Sequence, residues 1–178
     1  MSIEAWLKTE ATKERFKNSA LNDLRFIHLA THGTVDLGSP DLSGVYFKNG
    51  ENDIPNRNIL YVGEIYGLSI NAELVVLSAC ETGLGKINRG EGVMGLGQAF
   101  AYSGADNLIL SLWKVADEST SFLMQSFYQK ELGNESYSFS EGLRQAKLSM
   151  INSDYSAPYY GAPFILWKKI VHKKSLLH

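Results

Sequence analysis

ELVVLSAC, residues 73–80, sets four large apolar residues in unbroken sequence, two of them β-branched, and closes on the only cysteine of the chain. A run this short is below ordinary helix length, and it lacks the alternation of a strand with one wet face. It therefore predicts a strand over residues 73–79 buried on both faces, as in a parallel sheet covered by helices. LRFIHLA, residues 24–30, has the same character and is followed by a His32-Gly33 corner. NLILSLW, residues 107–113, predicts a third strand, and residues 162–167 a last one.

Between these runs the pattern turns helical. Residues 93–102 form a helix lined by Gly95, Gly97, Ala99 and Ala101, small enough for close approach to a sheet. Residues 119–132 and 139–151 read as amphipathic helices. Two further helices are expected, over residues 3–18 and 59–68. Residues 31–58 are rich in Gly, Asn, Asp, Ser and Pro and read as a long loop, with a strand-like island at 44–48 ahead of the turn signal Asn49-Gly50. The order βαβαβααβ implies an α/β fold of the doubly wound kind, its mostly parallel sheet covered on both sides. No internal repeat interrupts it. The terminal LWKKIVHKKSLLH, residues 166–178, reads as a frayed, solvated end.

Length and composition bound the function. At 178 residues the chain suits one domain, and 44% hydrophobic with 20% charged residues is globular in character. Seventeen Lys and Arg against nineteen Asp and Glu leave a net charge of −2, without the positive field that a phosphate backbone selects. Nucleic acid is not the expected partner. No apolar run approaches the roughly 18 residues that cross a bilayer, so no membrane role is expected. A single cysteine and a charged opening stretch without a signal-peptide core point to a soluble protein in the reducing cytoplasm.

The chemistry concentrates at two positions. In an open parallel sheet, functional groups collect outside the carboxyl ends of the strands, where the crossover loops open on one edge. His32 and Cys80 each stand just beyond such an end. If the two strands are neighbours at about 5 Å spacing, an imidazole and a thiol come within reach of each other. A thiol of pKa about 8.5 is mostly protonated at neutral pH, and an adjacent imidazole takes its proton or stabilises the thiolate. Gly33 permits close backbone approach to a substrate carbonyl, and the N–H groups of Gly33 and Cys80 are candidate oxyanion donors. The bland readings stand beside this one: a lone cysteine at a strand end is more often a small buried hydrophobe, and a lone histidine more often structural. His28 contrasts with His32. Alternation puts it mid-strand on one face with Phe26 and Ala30, the pattern of a satisfied core histidine.

The segments IHLATHG (27–33), VVLSACETGLG (75–85), GEGVMGLGQAFAYSGA (90–105) and ILSLWKVADEST (109–120), with LRQAK (143–147) and APFILW (162–167), resemble the CHAT family. CHAT domains are caspase-like and separase-like cysteine peptidases, often joined to tetratricopeptide repeats. The resemblance implies a caspase-like three-layer sandwich with His32 as general base and Cys80 as nucleophile. It also implies that residues 112–117 shape the pocket for the side chain before the scissile bond, with Trp113 and Asp117 as candidates. Asp117 suits a basic side chain, and equally suits an N-cap for a helix opening at Glu118. The full family domain carries further strands and helices before the segment present here, so the chain reads as a partial CHAT domain lacking its amino-terminal part.

Other motifs fail on context. Gly90-x-Gly92-x-x-Gly95 begins about ten residues after its strand, too far for a dinucleotide fingerprint. Gly83-x-Gly85-Lys86 lacks the upstream glycine of a phosphate loop, and Ile87 replaces its Ser or Thr. Lys86 and Arg89 are candidate self-processing positions, although a solvated loop also accounts for them. One cysteine and four scattered histidines offer no paired ligand spacing, so neither metal nor cofactor is expected. The function expected is endopeptidase cleavage of a protein or peptide substrate, controlled by a regulatory protein or an attached repeat region. The alternatives are a catalytically inactive module that binds proteins, and acyl transfer through the same thioester.

Overall fold

In chain order the elements are α1 (Lys13–Asn18), β1 (Phe26–Leu29), β2 (Gly33–Thr34), β3 (Gly44–Tyr46), β4 (Ile59–Tyr61), α2 (Val62–Ile65), β5 (Leu74–Leu77), α3 (Glu91–Tyr102), β6 (Asn107–Ser111), α4 (Asp117–Gly133), α5 (Phe139–Ile151), α6 (Pro158–Gly161) and β7 (Phe164–Lys168). They come from a computed structural model that describes residues 4–36, 38–48, 57–78, 91–133 and 138–168, with 91–94 and 132–133 as backbone alone.

The four apolar runs form one sheet in the order β1-β5-β6-β7. β1, β5 and β6 are parallel, and β7 returns antiparallel to β6. β5 is central, and all four of its residues are buried, which is why its sequence shows no polar alternation. Its odd and even positions serve different layers. Val75 and Leu77 join Ile27, Leu29, Leu108 and Leu110 in a core closed by Leu96, Ala99 and Phe100 of α3. Leu74 and Val76 join Ile109 and Phe164 in a second core under Leu123 and Phe127 of α4 and Leu143, Ala146 and Met150 of α5. The result is a mostly parallel sheet with helices on both faces, a caspase-like α/β architecture. Gly97 shows what the small residues of α3 are for: a Cβ there would sit 3.1 Å from Leu110 Cδ1.

The long segment between β1 and α2 carries more order than its composition suggests. β2, β3 and β4 form a second, antiparallel sheet, whose Val45 and Leu60 are fully buried in the first core. Two expected helices are corrected here. Residues 59–68 begin as a strand, because Ile59–Tyr61 pairs with Gly44–Tyr46, and only Val62–Ile65 is helical. The strand-to-helix turn is held by Glu64, which accepts from the Tyr61 N–H at 3.2 Å. Lys13 Nζ donates to Ile59 O and to Glu64 Oε2, both at 2.6 Å. The opening helix spans Lys13–Asn18 rather than 3–18, because Thr12 is extended and caps it, accepting from the Arg15 N–H at 3.2 Å.

Gly104 holds the turn between α3 and β6 at φ +121°, and a Cβ there would lie 1.8 Å from Ile70 O. A side chain meets both backbone strain and a collision with buried main chain. Gly104→Ala is expected to lower unfolding stability by about 2–4 kcal/mol in urea titration, with the slope of the transition unchanged.

Candidate active site

β1 and β5 are adjacent, parallel and in register from Phe26↔Leu74 to Leu29↔Leu77. The condition that the sequence left open, that the two strands be neighbours, is met. In the sequence His32 follows Leu29 by three residues and Cys80 follows Leu77 by three. Cys80 lies outside the described residues, as do Lys86 and Arg89.

The His32 corner is fastened to the second sheet. Its main-chain oxygen accepts from the Tyr46 N–H at 2.8 Å, and Thr31 Oγ1 donates to Tyr46 O at 2.6 Å. Antiparallel pairs alternate between bonded and unbonded, so with His32 bonded to Tyr46 the next pair, Gly33↔Val45, is of the unbonded kind. That turns the Gly33 N–H away from β3.

A cavity of about 570 Å³ opens beside this corner. Its sheet wall is His28, Ala30, Thr31 and His32 from β1 and beyond, with Ser78 from the end of β5. Its helical wall is one face of α4, running from Asp117 through Thr120, Ser121, Met124 and Gln125 to Tyr128 and Gln129. His32 and Asp117 thus share one cavity, although they are 85 residues apart in the chain. Asp117 is exposed and is the first residue of α4, where its negative charge complements the helix dipole. Thr120 Oγ1 is buried and has no hydrogen-bond partner among the described residues.

Trp113 is not one of the residues lining that cavity. Its indole N–H donates to Tyr159 O at 3.2 Å, and its ring lies 6.4 Å from that of Tyr159. In return Tyr159 donates its hydroxyl to Lys114 O at 2.7 Å. The tryptophan braces the loop between β6 and α4 against α6.

His28 is the residue whose role differs most from its expected one. It is satisfied, with Nε2 2.8 Å from Ser78 Oγ, but it stands on the cavity wall rather than in the core, and its side chain is exposed there. The ring also packs 5.7 Å from that of Tyr128. Crowding by protein lowers the His28 pKa from 6.5 to about 4 through loss of hydration, an effect tempered by the open side of the cavity. Burial likewise pushes the Tyr128 phenol up. Near neutral pH both groups are uncharged, and Asp117 adds a carboxyl side chain to the same wall. Two-residue alternation places His28 and Ser78 on a common face once the β1–β5 register is known, but the sequence does not contain that register. Among the described residues, no group of three metal-ligating side chains comes together, and no helix is long and apolar enough to cross a membrane.

In comparisons with known proteins, the family model of the CHAT domain matches residues 2–169. No curated protein matches the chain.

The His28 shift carries a prediction for stability. A histidine whose folded pKa lies below its unfolded value is neutral in the folded protein while the unfolded chain binds a proton, so stability falls as pH drops from about 6.5 towards about 4. By NMR the His28 ring is expected to titrate well below pH 6.5. His28→Gln is expected to remove that part of the acid-side loss in unfolding titrations made at a series of pH values.

Proposed function

The chain belongs to the CHAT family, which is caspase-like and peptidase-related, and from that premise we propose that it is a cysteine endopeptidase using His32 and Cys80. The observation that carries this reading is the parallel, in-register pairing of β1 and β5, whose continuations lead to the two residues at equal distance from the last pair. In the reaction, His32 takes the proton of the Cys80 thiol, and the thiolate attacks the scissile carbonyl. The N–H groups of Gly33 and Cys80 receive the negative charge that develops on oxygen. His32 then returns the proton to the leaving amine, and a water activated by the same imidazole hydrolyses the thioester.

Substrate selection rests on the cavity. Its fixed charge is the Asp117 carboxylate, and Met124 and Ala30 supply apolar wall, a combination suited to a Lys or Arg side chain with an aliphatic stem and a cationic head. Trp113 contributes from behind, by holding the loop that delivers Asp117. The substrate class is protein or peptide, the compartment is the reducing cytoplasm, and control comes from a regulatory protein or a tetratricopeptide-repeat region.

A peptide electrophile with a terminal Arg is expected to add one label at Cys80, located by mass spectrometry of the digested protein. His32→Ala is expected to slow labelling by about 10²- to 10⁴-fold, the usual weight of a general base. Label on other residues, or an unchanged rate in His32→Ala, sinks the reading. Asp117→Asn is expected to cut kcat/KM for Arg substrates by at least about tenfold, with a smaller effect on neutral ones.

A further inference from the structure

The β1–β5 ladder ends at Leu29↔Leu77. At that end side chains also link the two strands: His28 reaches diagonally past its register partner Val76 to Ser78, with Nε2 and Oγ 2.8 Å apart. Ser78 is 7% exposed and lies two residues before Cys80, while His28 lies four residues before His32. The other approach is already secured, since Thr31 and His32 are bonded to Tyr46. We propose that His28 is a positioning residue, whose hydrogen bond to Ser78 holds the end of β5, two residues before Cys80 in the sequence, in fixed relation to the His32 corner.

Several observations separate this role from that of a core histidine. The ring stands on the wall of the same cavity as His32, so its polar edge sits among the groups around the reacting centre. Tyr128 of α4 flanks it, giving the imidazole a second contact that restricts its orientation. An uncharged imidazole at this place holds the serine hydroxyl without adding a positive charge that would compete with His32 for influence over the thiol. The energetic logic is that of pre-organisation: a displacement of about 1 Å between a nucleophile and its base can cost on the order of 10²-fold in rate. One hydrogen bond beyond the ladder's end constrains that displacement.

The proposal rests on the peptidase reading above, and the test keeps the two apart. Four full-length variants, His28→Leu, His28→Gln, Ser78→Ala and His28→Leu with Ser78→Ala, are compared with the natural protein after circular dichroism has confirmed folding. The first readout needs no activity. Amide hydrogen exchange in peptides covering residues 76–82 is expected to rise at least about tenfold in His28→Leu and in Ser78→Ala, with the double variant no faster than the faster single one. The second is turnover of a peptide substrate. kcat is expected to fall about 10- to 100-fold in the same two variants with KM within about twofold, and His28→Gln, whose amide can still reach Ser78, is expected to recover most of it.

Unchanged exchange overturns the proposal. So does altered exchange with unaltered kcat, which would make the bond one of stability alone. A kcat loss that His28→Gln fails to recover, accompanied by a displaced acid limb of the pH profile, overturns it by making His28 itself a proton carrier. If the natural protein shows no His32-dependent turnover although exchange responds as expected, the peptidase reading fails and the positioning role falls with it.

Discussion

The parallel pairing of β1 with β5 is the constraint from which the rest of the molecule follows. A parallel pair cannot be closed by a tight turn, so the chain between the two strands must leave the sheet and return. Here the excursion is used to build β2, β3, β4 and α2, and four residues of that excursion, Val45, Leu60, Ile65 and Ala72, are returned to the core as fully buried side chains. Parallel direction also makes both strands end on one edge. His32 and the segment beyond Ser78 therefore issue from the same side of the sheet, an arrangement that an antiparallel pair would have denied them.

Among the described residues, polar bonds tie that edge together. The apolar layers end with Leu29 and Leu77, and beyond them the chain is tied by Thr31 and His32 to Tyr46, and by His28 to Ser78. Polar groups at such a boundary are costly to leave unpaired, yet they permit a cavity, which a close-packed apolar edge would have filled. The helical wall of that cavity is also part of the second core. Met124 is buried beside Leu123 and Phe127 while lining the cavity, so the register of α4 that packs the core also sets which polar side chains face His32.

Crowding acts in one direction on two titratable groups of the cavity wall. Loss of hydration lowers the His28 pKa and raises that of the Tyr128 phenol, in each case disfavouring the charged form.

The local sequence determined much of this. The unbroken apolar run of β5 announced a strand buried on both faces, the small residues of α3 announced a close helix-to-sheet contact later seen at Gly97 and Leu110, and the ordered motifs identified the family. The strand ends were legible for the same reason, since an apolar run gives way there to glycine and polar residues, and β1 and β5 do end at Leu29 and Leu77. What only the tertiary structure decided were relations between distant segments. Ile59–Tyr61 became a strand because Gly44–Tyr46 lay beside it to accept the pairing, overriding a helical reading. His28 left the core for the cavity wall because β1 is an edge strand of the sheet among the described residues and its neighbour β5 presented Ser78 one step ahead on the same face. Asp117 came to share a cavity with His32, and Trp113 was turned towards Tyr159, because the packing of α4 and α6 set where the loop between β6 and α4 runs. Periodicity shows which residues share a face, but which face meets which depends on register and packing, and those are properties of the folded chain.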